Sequence, residues 1–395
     1  MDSRVRGNDE RMSARWDAIV VGAGIVGAAC ARSLGRDGMR VLVLDAGRAG
    51  EGTTSAGMGH LVTLDGSDAL LALTSYALEL WRSEASMLPS AVEYDPCGTI
   101  WVAETADHLD VLREKQRTYS EYAVASDLLS ARALAELEPN LRSDLVGGLL
   151  VDGDGVLDPP SATRWMLDQA IARGAELREG IRVDSIDGDG VHCGAETITA
   201  NVIVNATGVH APVLTPGLRI VPRKGHLAIT DSYPGTIRHQ LVELGYQKSA
   251  HDMDVASAAF NVQPRPGGQV IIGASRELAG FDAAPNERLL REMLDRAAYF
   301  LPRLRELRIA RTWTGFRPAA DDGLPVIGRW EPVKSLWVAA GHEGLGITTS
   351  LATGDLLADL ILGRPPRIDP TPYAPARMFP QSAVSHELES RHAES

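Results

Sequence analysis

One arginine towards the C-terminal end of the chain is placed where it could bind a carboxylate. Arg317 lies within the segment Gly315–Pro318, between residues that restrict the backbone, and a glycine-rich segment follows at 341–346. A guanidinium group is planar and presents paired N–H donors, so it can bind a carboxylate through two charge-assisted hydrogen bonds. The pattern predicts a site that holds a small acid beside a flat ligand. The alternative interpretation is an ion pair between Arg317 and Asp321 or Asp322 in a turn.

A dinucleotide-binding fingerprint lies near the N-terminus. The apolar run 17–21 predicts a buried strand, the segment Gly22–Gly27 follows at once, and a helical pattern runs on to Gly38. The first glycine of the fingerprint makes the tight turn, the second admits a pyrophosphate, and the third allows the helix to pack closely. The next strand, 41–44, ends in Asp45, which is placed to accept hydrogen bonds from the ribose of the adenosine.

Three further features favour FAD over NAD as the nucleotide. The small-residue segment 52–60 comes straight after the second strand, and small residues permit close approach of the backbone to a bulky ligand. The strand-like run 202–205 ends in a second glycine turn, and a third turn lies near the C-terminus. The pieces 175–178 and 181–183 are also predicted as strands, with the backbone of Val183 at the adenine edge. FAD is a long, extended cofactor, so it needs several separate segments of the chain to contact it, and an ordinary NAD domain does not.

The composition excludes several other classes of protein. The net charge of −13 argues against binding to nucleic acid or to an anionic membrane surface. The three cysteines are far apart and lack C-x-x-C spacing, which argues against a metal or iron–sulfur site and suits a reducing, cytoplasmic compartment. No run approaches the roughly 20 apolar residues of a membrane span. The polar segment 1–13 is predicted to be a disordered extension that is not a secretory signal, and 377–395 a flexible tail.

These motifs together resemble the D-amino-acid oxidase/glycine oxidase superfamily of FAD-dependent amine oxidoreductases. The resemblance covers about residues 16–364 and adds to the fingerprint the segments 53–60, 206–208, 315–318 and 341–346. Within that superfamily, segments 55–62 and 97–103 are similar to the flavin (β) subunit of bacterial D-hydroxyproline dehydrogenases. Opine oxidase β subunits and hydrogen cyanide synthase subunits are similar as well.

The resemblance implies an α/β fold with two domains and a discontinuous chain. One would be an FAD-binding, Rossmann-like domain of the glutathione-reductase type, built from 14–92, 147–216 and 318–370. The other would be an α+β substrate domain with a mainly antiparallel sheet, built from 93–146 and 217–317. Residues 264–268 predict a hairpin turn and 286–301 an amphipathic helix that ends at a proline.

The resemblance also implies which residues form the active site. Arg317 matches the arginine that binds the substrate carboxylate, and the pattern for the substrate strand falls on 260–264, where the usual tyrosine is missing. Asn261 and Tyr246 are assigned to the substrate pocket, with His251 as a rival of Tyr246. The catalytic candidates are Arg317, His60, His342 and Glu343. The cofactor candidates are Gly22, Gly24, Ile25, Val26, Gly27, Asp45, Ala46, Thr53, Thr54, Ser55, Gly57, Met58, Gly59, His60, Val183, Ala206, Gly208, Gly341, His342, Gly344, Leu345, Gly346, Ile347 and Thr348.

Several of these assignments keep an alternative. His60 is predicted to lie beside the flavin ring, with a covalent flavin link as the other possibility. His342 either adjoins the flavin or packs structurally at its turn, and Glu343 contacts the substrate amine or a partner. The segment Pro222–His226 is either a connection near the flavin or a solvated turn.

The resulting functional prediction is an FAD-dependent dehydrogenase that oxidises a D-imino or D-amino acid by transfer of a hydride from the α-carbon to flavin N5. The best single substrate is cis-4-hydroxy-D-proline, giving 1-pyrroline-4-hydroxy-2-carboxylate. The alternatives are a glycine, sarcosine or D-amino-acid oxidase, an opine oxidase β subunit, and a non-catalytic flavin subunit for electron transfer. Because a dehydrogenase must pass its electrons on, the resemblance implies small iron–sulfur or FAD-binding partner subunits, with the complex in the cytoplasm or peripheral to the inner face of the membrane.

Overall fold

The computed structural model describes residues 16–244 and 256–379, and within these ranges two large sheets dominate the architecture. The strands, numbered in chain order, are β1 Trp16–Val21, β2 Val41–Leu44, β3 His60–Leu61, β4 Thr99–Ala103, β5 Asp127–Ser130, β6 Gly147–Val151, β7 Gly155–Val156, β8 Glu176–Arg178, β9 Ser185–Ile186, β10 Val191–Cys193, β11 Glu196–Ile198, β12 Ala200–Asn205, β13 Ile220–Thr230, β14 Gln240–Glu243, β15 Ser257–Pro264, β16 Val270–Arg276, β17 Ile309–Ala320, β18 Val326–Arg329 and β19 Leu336–Ala340. The helices are α1 Ile25–Arg36, α2 Asp68–Glu84, α3 Ala106–Glu121, α4 Ala131–Leu137, α5 Pro159–Ile171, α6 Ala211–Leu214, α7 Glu287–Phe300 and α8 Gly346–Leu362.

The first sheet is the predicted nucleotide-binding sheet. Its strand order is β18-β19-β12-β1-β2-β8, and every pair is parallel except β18–β19. One face packs against α1, α5 and α8, where small residues such as Ala28 and Ala352 let the helices approach closely. The small sheet β9–β11 and α6 cover the opposite face. A parallel sheet covered on both faces confirms the Rossmann-like fold expected from the apolar runs.

The second sheet is mainly antiparallel, as expected. Its order is β17-β13-β16-β15-β14-β4-β6-β5, and β14–β4 is its parallel pair. Helix α7 packs on one face around Phe260 and Phe300, whose rings stack 4.5 Å apart. Helix α7 begins after Asn286, whose side chain caps it, and the hairpin between β15 and β16 turns at 265–269, so both local predictions are confirmed.

One prediction about a strand is wrong. Residues 181–183 are not a strand, because the turn at Gly180, with φ of +72°, ends β8 and the Ile181 N–H donates to the Asp45 carbonyl instead of to a ladder. Strand β6 pairs with β4 and β5 in the second sheet, whereas the predicted division placed 147–216 in the nucleotide-binding part. The domain boundaries stay a prediction.

Candidate active site

The fingerprint turn is closed by backbone contacts that only glycine permits. Gly22 has φ of +104°, and a β-carbon there would lie 2.6 Å from the Ala206 carbonyl oxygen. A β-carbon on Gly27 would lie 1.9 Å from the Gly22 carbonyl oxygen, so helix α1 can begin against the turn only without a side chain at this position. The N–H of Ile25 donates to Thr54 Oγ1 at 3.0 Å, which joins the fingerprint to the segment 52–60.

Asp45, which directly follows β2, stabilises the same turn through hydrogen bonds. Its Oδ2 accepts a hydrogen bond from the Ala23 N–H at 2.6 Å, and its Oδ1 accepts one from the Gly47 N–H at 2.8 Å. Each carboxylate oxygen can accept a second hydrogen bond, so these contacts are compatible with the predicted binding of ribose hydroxyls. The carboxylate therefore has a structural task that the fingerprint did not predict.

The second glycine turn meets the first at the carboxyl ends of β1 and β12. The Ala206 N–H donates to the Val21 carbonyl at 2.8 Å, and Gly208 adopts φ of +59°. Asn205 Oδ1 accepts a hydrogen bond from the Thr207 hydroxyl at 2.7 Å, which orders the turn from below. Ligands of open α/β sheets bind at such strand ends, where the N-terminus of a helix provides partial positive charge for phosphates.

One cavity of about 720 Å³ joins these turns to the second sheet. Its lining residues come from both sheets and include Asp45, which follows β2, and Arg317 on β17. The predicted cofactor residues that line it are Gly22, Gly24, Ile25, Val26, Asp45, Ala46, Thr53, Thr54, Gly57, Met58, His60, Val183, Ala206, Gly208, His342, Gly344, Gly346 and Ile347. The glycine turns and the lining that both sheets contribute fit a dinucleotide cofactor.

Six predicted cofactor residues do not line the cavity. Thr348 lies behind it, where its hydroxyl donates to the His60 carbonyl at 2.9 Å. Gly59 has φ of +100° and packs against the Leu157 carbonyl, so it shapes the chain beside the cavity. The full set is Gly27, Ser55, Gly59, Gly341, Leu345 and Thr348.

Arg317 lies on β17 and lines the cavity. Its side chain is 16% exposed, and Nη1 donates to the Ser275 carbonyl at 3.0 Å. The alternative ion pair in a turn is wrong, because Asp321 pairs with Arg219 and Asp322 pairs with Arg377. The pairing of β13 with β17 holds Arg317 in the sheet and directs its guanidinium to the cavity.

Glu343 lies beside Arg317 and faces two further arginines. Its Oε1 is 3.5 Å from Arg276 Nε, 3.9 Å from Arg317 Nε and 4.0 Å from Arg223 Nη1. Burial alone would raise the pKa of Glu343, but the three guanidinium groups and the Gly344 N–H outweigh it, so the pKa lies below its usual value. Glu343 is therefore an anion at neutral pH.

Sequence reasoning missed Arg276 and the role of Arg223. The interpretation of 222–226 as a solvated turn is wrong, because the segment is part of β13 and Arg223 is 1% exposed. Arg276 ends β16 and is 2% exposed. No local pattern marks either residue, since the three arginines meet through pairing of strands that are far apart in the chain.

Both predicted site histidines are neutral at physiological pH. Burial, with the nearby Arg317 as the next cause, lowers the pKa of His60 to about 4. Burial lowers the pKa of His342 to about 3, and its Nε2 forms a hydrogen bond with Thr353 Oγ1 at 3.0 Å. His342 thus has a packing role at its turn, although one side of it also lines the cavity.

The structure describes Asn261 of the predicted substrate pocket, but that residue is not part of the cavity lining. Asn261 is 3% exposed on the face of β15 opposite Phe260, and it does not line the cavity. Phe260 points into the core with Phe300. Tyr246 and His251 lie outside the described residues. Phe281 and Phe316 line the cavity without having been predicted to do so; their rings are 5.7 Å apart.

The fold and the cavity define a flavoprotein oxidoreductase. The model of the family "FAD dependent oxidoreductase" matches residues 17–360, and the chain belongs to that family. FAD is accordingly its cofactor, and the two glycine turns and the segment 52–60 are the parts of the cavity lining that could hold it. Within the described residues, no helix is long and apolar enough to cross a bilayer, and no group of side chains could hold a metal ion.

Individual relatives have related activities. The glycine oxidase of Geobacillus kaustophilus is 26% identical over 386 residues, which cover 93% of this chain and 98% of the relative. Its crystal structure superposes with a TM-score of 0.82, over 91% of this chain and 98% of that one. The D-amino acid dehydrogenase of Xanthobacter autotrophicus is 31% identical over 332 residues, which cover 78% of this chain and 73% of the relative.

Proposed function

We propose that this protein oxidises an amino or imino acid at the carbon that bears the nitrogen, with FAD as the hydride acceptor. The observation that carries the proposal is the position of Arg317 in the same cavity as the two nucleotide-binding turns. A guanidinium there can bind the carboxylate of a substrate whose α-carbon then faces the cofactor. The glycine oxidase and D-amino acid dehydrogenase relatives support this substrate class.

Within this class, cis-4-hydroxy-D-proline is the proposed substrate and 1-pyrroline-4-hydroxy-2-carboxylate the product. The support is the resemblance of segments 55–62 and 97–103 to hydroxyproline dehydrogenase flavin subunits. The second candidate is a glycine, sarcosine or D-amino-acid oxidase that uses oxygen, and the glycine oxidase similarity favours it. An opine oxidase β subunit is an alternative alongside this second candidate.

Binding and orientation are the main tasks of the protein in this reaction. FAD, when bound, supplies the acceptor for the hydride. Arg317 holds the carboxylate, and the N-terminal amides of α8, which begins at Gly346, place partial positive charge at the cavity. His60 and His342 are neutral over the working pH range, so neither provides a cationic charge there.

A non-catalytic flavin subunit is the least compatible of the alternatives, because such a subunit has no need of a carboxylate-binding arginine in its flavin cavity. For a dehydrogenase, we propose that small iron–sulfur or FAD-binding subunits accept the electrons. The three free cysteines Cys30, Cys97 and Cys193 of this chain do not form a cluster site.

One experiment tests the proposal. The FAD-loaded protein is mixed anaerobically with cis-4-hydroxy-D-proline, D-proline, glycine, sarcosine or an opine, and loss of the oxidised flavin absorbance is followed. Reoxidation is then compared with oxygen and with an artificial dye. Bleaching by an imino acid and reoxidation by dye but not oxygen are expected. No bleaching by any amino or imino acid would refute the proposed function, and efficient reoxidation by oxygen would replace the dehydrogenase with an oxidase.

A further inference from the structure

Glu343 and Arg317 present opposite charges to one end of the cavity. Both side chains line it, and Glu343 Oε1 lies 3.9 Å from Arg317 Nε. An α-amino acid carries its carboxylate and its nitrogen on the same carbon atom, so its two charges are also a few ångströms apart. A carboxylate bound to Arg317 would therefore leave the nitrogen within reach of Glu343.

The backbone fixes the position of Glu343. This residue adopts φ of +48°, in the left-handed region that non-glycine residues seldom occupy. Its N–H donates to the Pro318 carbonyl at 2.8 Å, and the Gly344 N–H donates to Glu343 Oε2. The turn is thus attached to β17 one residue after Arg317. Backbone conformations of this kind persist where the surrounding structure enforces them, and they are common at functional sites.

Two buried arginines lie close to the Glu343 carboxylate. Arg276 and Arg223 do not line the cavity, and their guanidinium nitrogens lie 3.5 and 4.0 Å from Glu343 Oε1. A buried carboxylate is costly unless cations compensate it. Among residues 16–244 and 256–379, the charged and titratable groups that face Glu343 are Arg223 on β13, Arg276 on β16, Arg317 on β17 and His60 on β3.

On the basis of the proposed function, we infer that Glu343 binds the nitrogen of the substrate and that Arg223 and Arg276 are positioning residues that keep it in place as an anion. The substrate class is then an α-amino or imino acid bound as a pair of opposite charges, with Arg317 on the carboxylate and Glu343 on the nitrogen.

The charge on Glu343 favours the reaction as the nitrogen becomes positive. The ammonium proton first leaves to solvent. The Cα–H bond then breaks, the hydrogen departs with both electrons to FAD, which is reduced, and the nitrogen lone pair forms the second C–N bond. The product is an iminium cation, and Glu343 faces its positive nitrogen. The same negative charge raises the pKa of the bound ammonium group. A higher pH is therefore needed to form the neutral amine that reacts.

The test separates recognition of the nitrogen from recognition of the carboxylate. In the FAD-loaded protein, Glu343→Gln is compared with wild type for turnover of the best imino acid and for binding of tetrahydro-2-furoate, which has oxygen in place of the nitrogen. We expect kcat/KM to fall about 100-fold, a size typical for loss of a group that stabilises developing charge. Binding of tetrahydro-2-furoate should be unchanged or tighter. Equal losses for both molecules, or an unchanged kcat/KM, would overturn the inference.

The pH dependence provides a second, independent readout. In Glu343→Gln, the rise of kcat on the acid side of its pH profile should occur about one pH unit lower than in wild type. The reason is that the bound amine loses its proton more easily without the carboxylate. In Arg276→Met, Glu343 should take up a proton at higher pH, and kcat/KM should fall on the acid side, with Arg276→Lys restoring most of it. Profiles that coincide with wild type in folded, FAD-bound variants would exclude the positioning role.

Failure of the inference can be told apart from failure of the proposed function. If wild type oxidises no amino or imino acid, the proposed function is wrong. If wild type is active and Glu343→Gln matches it, only the inference is wrong. If Glu343→Gln does not bind FAD, Glu343→Asp decides, because it keeps the charge: retained tetrahydro-2-furoate binding with a lower kcat/KM supports the inference, and parallel changes contradict it.

Discussion

The guanidinium of Arg317 lies directly over Gly225 on the neighbouring strand. A β-carbon on Gly225 would be 2.3 Å from Arg317 Nη1, well inside contact distance. The register of β13 and β17 pairs Gly225 with Gly315, two residues before Arg317. The absence of a side chain at Gly225 therefore leaves the space that the arginine occupies at the cavity.

The first prediction concerns this contact. Gly225→Ala should displace the guanidinium and raise KM for the amino-acid substrate at least tenfold, with FAD binding preserved because Gly225 belongs to neither nucleotide turn. Steady-state kinetics and the flavin spectrum provide the measurement. In an Arg317→Met background, Gly225→Ala should cause no further loss, since the displaced group is gone. Additive losses in the double variant would show that the effect of Gly225→Ala does not depend on displacement of Arg317.

The second prediction concerns Arg317 itself. Arg317→Lys should raise KM about 100-fold or more, because a lysine cannot replace two parallel hydrogen bonds to a carboxylate. FAD content, measured from the absorbance of the purified protein, should match wild type. Loss of flavin in Arg317→Lys would instead make Arg317 a structural residue of the cofactor site.

The third prediction uses two glycines of the same helix, α1. A β-carbon on Gly27 would lie 1.9 Å from the Gly22 carbonyl oxygen, whereas one on Gly35 would have no atom closer than 3.8 Å. Gly27→Ala should therefore force the turn open and abolish FAD binding. Gly35→Ala should keep FAD and stabilise the helix by up to about 1 kcal/mol, the difference in helix propensity. Flavin titration and thermal unfolding test both variants, and equal FAD affinities would contradict the steric argument.

The fourth prediction concerns a buried carboxyl group that is hydrogen-bonded to Thr63. Asp154 is 1% exposed and accepts hydrogen bonds from the Thr63 N–H and hydroxyl, yet burial raises its pKa to about 7 from a usual value of 3.8. Between these two pH values the folded protein keeps a proton that the unfolded chain has lost, so stability falls as the pH rises through this range. Asp154→Asn removes the titration while keeping an oxygen for Thr63.

The measurement for Asp154 is thermal unfolding of the FAD-loaded protein at pH 5 and pH 8. Wild type should lose more of its Tm across this interval than Asp154→Asn does. Other groups titrate equally in both proteins, so the difference between the two curves isolates Asp154. Parallel curves would show that Asp154 is ionised throughout.

Local sequence determined the nucleotide end of this protein. Strand, glycine turn, helix and Asp45 follow one another within 30 residues, and their geometry depends on steric limits that act between near neighbours in the chain. The helix at 287–300 and the hairpin at 265–269 were predictable for the same reason. The prediction of a strand at 181–183 was wrong because a hydrogen bond to Asp45, far away in the chain, replaced the expected ladder.

Only the tertiary structure decided what surrounds Arg317. Its identity and its proline neighbour were visible in the sequence. The neighbouring Glu343, on the turn before α8, was not seen to meet Arg223 of β13 and Arg276 of β16 at the same carboxylate oxygen. Their meeting depends on strand register, and register is set by the packing of whole sheet faces, with no signal in the residues next to each arginine. The sequence therefore determined that a carboxylate could be bound beside a flavin, and the pairing of distant strands decided which charges the rest of the substrate meets.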